Sequence, residues 1–133
     1  MNIYNINDKN YINSNSYKEF MKNNMATGNL RVRAYMASEA IPVSGLKVVV
    51  STVIDDNDVI FYEGYTDESG LTPKISLPVP KLSSDNLAIP EKTVYEIHTT
   101  YIPSNLNGVY KVNMYENICV VQNINIIPSQ GVM

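Results

Sequence analysis

Leu30-Arg31-Val32-Arg33-Ala34-Tyr35-Met36 decides the fold. Apolar side chains at 30, 32, 34 and 36 alternate with Arg31, Arg33 and Tyr35, the period-two pattern of a strand with one dry and one wet face. The same rhythm recurs downstream. Leu46 to Val53 reads as a β-branched strand, Asp55-Asp56-Asn57-Asp58 as a hairpin tip, and Val59 to Thr66 as the return strand. Thr72 to Leu77 is a short strand closed by Pro78 and Pro80, and Lys81 to Pro90 is a loop. Tyr95 to Tyr101, Val109 to Tyr115 and Ile118 to Ile127 supply three more strands. Ile41-Pro42-Val43-Ser44-Gly45 and Thr66-Asp67-Glu68-Ser69-Gly70 are turn chemistry, the second with glycine where a positive φ is needed. Seven strands joined by short turns, with no helix between them, predict an all-β protein: a seven-stranded antiparallel Greek-key sandwich with a short N-terminal helix.

The last strand stands apart. Ile118, Val120, Ile124 and Ile126 share one face, interrupted by Gln122, while Cys119, Val121 and Ile127 lie on the other. A strand apolar on both faces is expected to be central or to have its outer face covered, and the N-terminal helix is the candidate cover. That helix lies in an Asn-rich arm, residues 1–27, ahead of the sandwich domain (28–128) and a short tail (129–133). Ser16-Tyr17-Lys18-Glu19 has the form of a capping box. Tyr17, Phe20, Met21 and Met25 follow at helical spacing, a face that either packs on the sandwich or contacts a partner. Residues 1–13 are expected to be mobile.

Composition narrows the function. The chain has 133 residues, net charge −3, ten basic residues, one histidine and one cysteine. That length buries about 68–70% of the unfolded surface, so the fold needs no metal or disulfide. The basic residues are scattered and form no stripe, which argues against nucleic-acid binding. The N-terminus has no apolar signal-peptide core, and no apolar run reaches the ~18–20 residues of a membrane span. The expectation is a cytoplasmic chain that does not insert in a membrane.

Few constellations could carry chemistry. His98 sits in a strand pattern with Val94, Glu96 and Thr100 on its face, opposite Tyr95, Ile97, Thr99 and Tyr101, and reads as a solvated strand histidine. Cys119, among Ile118, Val120 and Val121, reads as a small apolar filler. One histidine and one cysteine do not make a four-ligand zinc site, and no cofactor is implied. The acidic residues 55–58 are a weak calcium pattern without the EF-hand spacing. Lys47 and the asparagines of the last strand lack the buried acid that an isopeptide bond needs. Ten tyrosines and no tryptophan raise the alternative of a carbohydrate binder, because sugar faces stack on aromatic rings. Tyr35, Tyr62, Tyr101 and Tyr115 are the candidates for stacking.

Taken together, the turns and strands resemble a known family. GNLRVRAYMASEAIPVSGLKVVVS (28–51), with its P-V-x-G turn, and TDESGLT (66–72), with its T-D-x-x-G turn, resemble carboxypeptidase-regulatory-like (prealbumin-like, transthyretin-type) domains. LPVP (77–80), VYEIHTTY (94–101) and VVQNINIIP (120–128) resemble the Firmicutes version found at the N-terminus of clostridial spore cortex-lytic enzymes. The likeness covers roughly Gly28 to Pro128. It implies a seven-stranded sandwich acting as an accessory module that does no chemistry itself. The favoured expectation is a module of a bacterial or phage assembly that docks to a protein partner or a second copy, with spore or virion association as a further setting. The fold's hydrolase branch uses several histidines and a C-terminal Tyr-Arg-Gly-Ser, which this chain lacks. The reading is a non-catalytic interaction or structural module, with a cell-envelope or spore carbohydrate binder as the alternative.

Overall fold

The alternation at residues 30–36 is realised as a strand with Leu30, Val32 and Ala34 fully buried and Arg31, Arg33 and Tyr35 half-buried on the opposite face. The structure is a computed structural model that describes residues 2–37, 40–82 and 90–127. In chain order the elements are β1 (Ile3–Asn5), α1 (Lys9–Ile12), α2 (Asn15–Asn23), β2 (Ala26–Met36), β3 (Ile41–Pro42), β4 (Lys47–Ile54), β5 (Asn57–Tyr65), β6 (Ile75–Val79), β7 (Thr93–Tyr101), a 3₁₀ turn (Ile102–Ser104), β8 (Leu106–Met114) and β9 (Cys119–Asn125). The tail 129–133 and most of the 81–90 loop lie outside the described residues.

Two sheets face each other in a sandwich-like arrangement. The first has the order β1-β5-β4-β7-β8. In the second, β6 pairs with residues 26–30 of β2, β3 with 35–36, and β9 with 29–35. Leu30, Val32, Ala34, Ile75, Leu77, Val79, Ile124 and Ile126 of the second sheet meet Val48, Val50, Tyr95, Ile97, Val112 and Met114 of the first in one core. Every one of these positions obeys period two within its strand, which is why the core was readable.

The expected seven-stranded antiparallel sandwich needs correction. Nine strands are present among the described residues, and both sheets are mixed, because β1 runs parallel to β5 and β9 parallel to β2. Three residues in β1 and two in β3 are too few to show a period. The parallel pairing of β9 arises at the link from β8, which crosses between sheets. Asn117, in the left-handed region at φ 61°, donates to the Thr27 carbonyl, so β9 starts where β2 starts and runs with it. Gly28 permits this crossing: a Cβ there would sit 2.5 Å from the Tyr115 carbonyl oxygen. The strand expected to stop before Pro78 runs through it to Val79. Pro78 stands opposite Thr27, whose carbonyl is engaged on the other side of β2, so the missing proline N–H costs no ladder bond.

Residues 2–27 are built into this body. β1 pairs with β5, and Tyr4, Ile6, Tyr11, Tyr17 and Phe20 pack with Ile54 and Val59 in a cluster separate from the main core. Residues 3–12 therefore do not form the mobile arm expected from their composition, and the helices cover the β4–β5 end, not β9. The main helix starts two residues earlier than the Ser16 reading. Ser14 is its N-cap and accepts from the Tyr17 amide at 3.3 Å, because only Asn13 and Ser14 separate α1 from α2. Its C-cap, Asn24, donates to the Phe20 carbonyl at 2.8 Å and accepts from the Thr93 hydroxyl at 2.5 Å, fastening the helix end to β7.

Phe61 joins the two apolar regions. The β4–β5 register shifts between Val50 and Ser51, pairing Val50 with Tyr62 and Ser51 with Ile60 and leaving Phe61 without a partner. This bulge turns two consecutive aromatic side chains, Phe61 and Tyr62, toward the interior. The Phe61 ring lies 5.6 Å from Tyr95 edge-on, 5.7 Å from Phe20 and 6.4 Å from Tyr17. Beyond it, Tyr17 meets Tyr11 edge-on, and Tyr11 stacks on Tyr4 at 4.6 Å. Tyr95, fully buried, donates its hydroxyl to the Pro78 carbonyl across the sandwich.

Two predictions follow from the buried tyrosines. The Tyr11 hydroxyl is buried with no hydrogen-bond partner among the described residues, a state that costs about 1–3 kcal/mol. Tyr11→Phe is expected to raise stability by about 1 kcal/mol in urea unfolding. A drop of that size would show that the hydroxyl is bonded. Burial raises the hydroxyl pKa of Tyr11, Tyr17, Tyr62 and Tyr95, with the Asp55 charge adding to the effect at Tyr11. These groups hold their protons more tightly folded than unfolded, where they ionise near pH ~10. The stability they contribute is complete below that pH and is lost as pH rises toward the folded values. Phenolate absorbance from these four tyrosines should therefore appear only as the chain unfolds. Ionisation of Tyr11, Tyr17, Tyr62 and Tyr95 at the ordinary value with the fold intact would contradict this packing.

Candidate functional site

The hydrogen-bond phase of β9 determines what it offers to a partner. Asn29 N–H donates to the Ile118 carbonyl, and Ile126 N–H donates to the Tyr35 carbonyl. In a parallel ladder one residue turns both its N–H and its C=O to the same side, and the next turns both away. Val120, Gln122 and Ile124 thus face β2, while the backbone groups of Cys119, Val121, Asn123 and Asn125 face outward. The opposite side of β2 is independently filled: Thr72 N–H and Oγ1 engage Val32, and the Gly70 and Val43 backbones engage Ala34. Gly70 sits at φ 78°, the conformation its turn was expected to need. No described strand pairs with the outer edge of β9.

The side chains make this edge unusual. Cys119, Asn123 and Asn125 are exposed, and Val121 is 50% exposed. Exposed Ile118 and Ile127 flank the strand. None of its seven residues is charged and none is proline. The other sheet edges carry the devices that prevent edge-to-edge pairing. β1 is three residues long, β3 two and ends in Pro42, β6 contains Pro78, and β8 carries Lys111. The stretch of β5 beyond β1 is bulged and carries Glu63. Next to the start of β9 lies an apolar cavity of about 390 Å³ lined by Leu82, Pro90, Tyr115, Glu116 and Ile118. The Leu82 amide donates to Glu116 Oε1 at 2.8 Å beside it.

The residues singled out from sequence are distributed differently. Tyr17 and Phe20 pack against the Ile54–Val59 cluster, Met21 is half-buried on α2, and Met25, past the helix end, is 68% exposed. Tyr62 and Tyr101 pack against the main core. Tyr35 lies on the outer face of β2 with the Arg33 guanidinium 4.9 Å above its ring, and Tyr115 lines the apolar cavity. The four tyrosines therefore do not share a face.

His98 is exposed on the outer face of the five-stranded sheet, with Nε2 3.2 Å from Glu96 Oε1. Cys119 is on the other sheet and is exposed, not the buried filler its neighbours suggested. Lys47 pairs with Glu63 at 3.6 Å. Asp55 and Asp56 occupy the two left-handed positions of a tight hairpin, at φ 48° and 64°. Among the described residues no group of three or more His, Cys, Asp or Glu side chains could hold a metal, and no helix is long and apolar enough to cross a membrane.

The edge is hard to read from sequence because apolar residues on both faces fit a central strand, or one covered by the N-terminal helix, as well as an open edge. The available signal was the combination of that pattern with the absence of charge, in the last strand of the chain. No protein-family model matches the chain, and no curated protein matches it in sequence.

The phase of β9 is directly measurable. In the chain at low micromolar concentration, the amides of Val120, Gln122 and Ile124 should be strongly protected from hydrogen exchange, and those of Val121, Asn123 and Asn125 should exchange near the unprotected rate. Uniform protection along the strand at that concentration would mean its outer edge is already paired.

Proposed function

We propose that this chain is a non-catalytic interaction or structural module of a larger bacterial or phage assembly, and that it takes its protein partner by strand addition along β9. The observation that carries the reading is the uncharged, proline-free outer edge of β9, alone among the described sheet edges in lacking a guard against pairing. Strand addition draws affinity from main-chain hydrogen bonds and specificity from pockets for alternate side chains. The apolar cavity at Tyr115 and Ile118 is placed to supply such a pocket. The resemblance to carboxypeptidase-regulatory-like domains, which act as accessory modules, points the same way, as does the separation of the single histidine and single cysteine onto different sheets. Cytoplasmic residence, with association to a spore or virion, belongs to the same proposal. A glycan-binding role would have to use Tyr35 and Tyr115 separately, since Tyr62 and Tyr101 pack inward.

Val121→Pro tests the reading. It removes one outward-facing N–H and leaves the β2–β9 bonds in place. Affinity capture from the source organism with the wild-type and variant chains should show the specific partners lost with the variant, while circular dichroism shows the fold retained. Capture of the same partners by both chains would rule out β9 as the binding edge.

A further inference from the structure

We infer that the occupant of the β9 edge is a second copy of this chain, its own β9 paired antiparallel about a two-fold axis at Gln122. The inference rests on the strand-addition reading above and adds the identity of the partner.

The phase of the strand selects the register. The outward-facing residues are 119, 121, 123 and 125, so an antiparallel partner strand must pair odd with odd. A two-fold axis at Val121 or Asn123 does that too, but shortens the overlap. Only the axis at Gln122 matches the strand over its whole length, setting Cys119 opposite Asn125 of the second copy and Val121 opposite its Asn123. These are the hydrogen-bonded pairs of an antiparallel ladder, and Gln122 meets its own copy between them.

The side chains are self-complementary in that register. On the outer face, Val121, half-exposed in the single chain, becomes the diagonal neighbour of its own copy beside the axis. On the inner face, exposed Ile118 stands opposite Ile126 of the copy at each end. Asn123 and Asn125 complete the rows, so no pair sets like charges together. The nearest cations, Arg31 and Arg33, belong to β2 and are already engaged, Arg31 on the Thr72 carbonyl and Arg33 with Tyr35 and Asn123. Across the joined sheet the arginines of the two copies lie three strand spacings apart, about 14 Å, beyond the roughly 8 Å screening length at physiological salt. An acidic or basic partner strand would find no countercharge on β9, whereas an identical strand needs none. One ladder of this length is a small interface, which predicts a weak, concentration-dependent dimer.

The test joins mass and register. Light scattering across about 1 µM to about 1 mM should show the mass rising from 14.9 kDa toward twice that value. Protection of the Val121, Asn123 and Asn125 amides should rise in parallel. Val121→Lys, which sets two lysines diagonally across the axis, should weaken the dimer at least tenfold with the thermal midpoint unchanged. Asn125→Cys should cross-link with native Cys119 of the second copy under mild oxidation. A hydrogen-bonded pair has Cα atoms about 5.5 Å apart, inside the ~4.4–6.8 Å range of a disulfide. The wild-type chain, and Asn125→Cys carrying Cys119→Ser, should not cross-link. A chain that stays monomeric at 1 mM overturns the second-copy inference, and leaves the edge reading intact if Val121→Pro still loses its partners. A dimer indifferent to both Val121 variants overturns the inference and the edge reading together. Equal cross-linking through Cys119 alone rejects the register.

Discussion

The contact between Phe61 and Tyr95, both on the first sheet, joins the two apolar clusters of the fold. Ile54 and Val59, at the hairpin end of β4 and β5, lie outside the main core and would face water if nothing covered them. Removing that apolar surface from water is the dominant driving force available, and the chain meets the need with its first two dozen residues. Phe61 is the hinge point of this solution. Its bulge breaks the period of β5, lets two adjacent aromatics turn inward, and touches Tyr95 on one side and the helix residues Tyr17 and Phe20 on the other. Without the bulge, Phe61 or Tyr62 would point outward and the N-terminal layer would have no aromatic surface to meet.

This coupling changes what the N-terminal segment means. A helix with a Phe/Met face invites a partner, and Met25 stays exposed enough to take one. Yet Tyr17 and Phe20 are committed to the fold, and Asn24 fastens the helix to Thr93 of β7. The segment therefore caps the β4–β5 end of the fold. Elsewhere the crossing at Tyr115–Ile118 delivers β9 against β2, and no described strand pairs with its far edge.

Much of the fold was legible because period two is a local signal. Leu30, Val32 and Ala34, or Tyr95 and Ile97, declare their buried face within a few residues, and Gly70 declares its turn. What was not legible depended on contacts distant in sequence. β1 has no period of its own and exists because β5 lies beside it. Ser14 caps the helix in place of Ser16 because α1 ends at Ile12. The bulge at Phe61 has no sequence mark beyond adjacent aromatics. The parallel course of β9 was hidden for the same reason, since direction in a sheet is set by where the connection crosses and not by the strand's own residues.

The candidate edge shows how one pattern supports two readings. Apolar residues on both faces of 118–127 are compatible with a central strand and equally with an edge strand completed by another chain. In both cases the strand ends up flanked on two sides, and the composition responds to that final environment. The lack of lysine, glutamate and proline follows from the same requirement, because each would hinder a neighbour. β6 and β8, with Pro78 and Lys111, show what this protein does with an edge that is to remain an edge. The expectation of a central or covered strand is met on one side only: β2 flanks β9, and among the described residues no strand supplies the other flank.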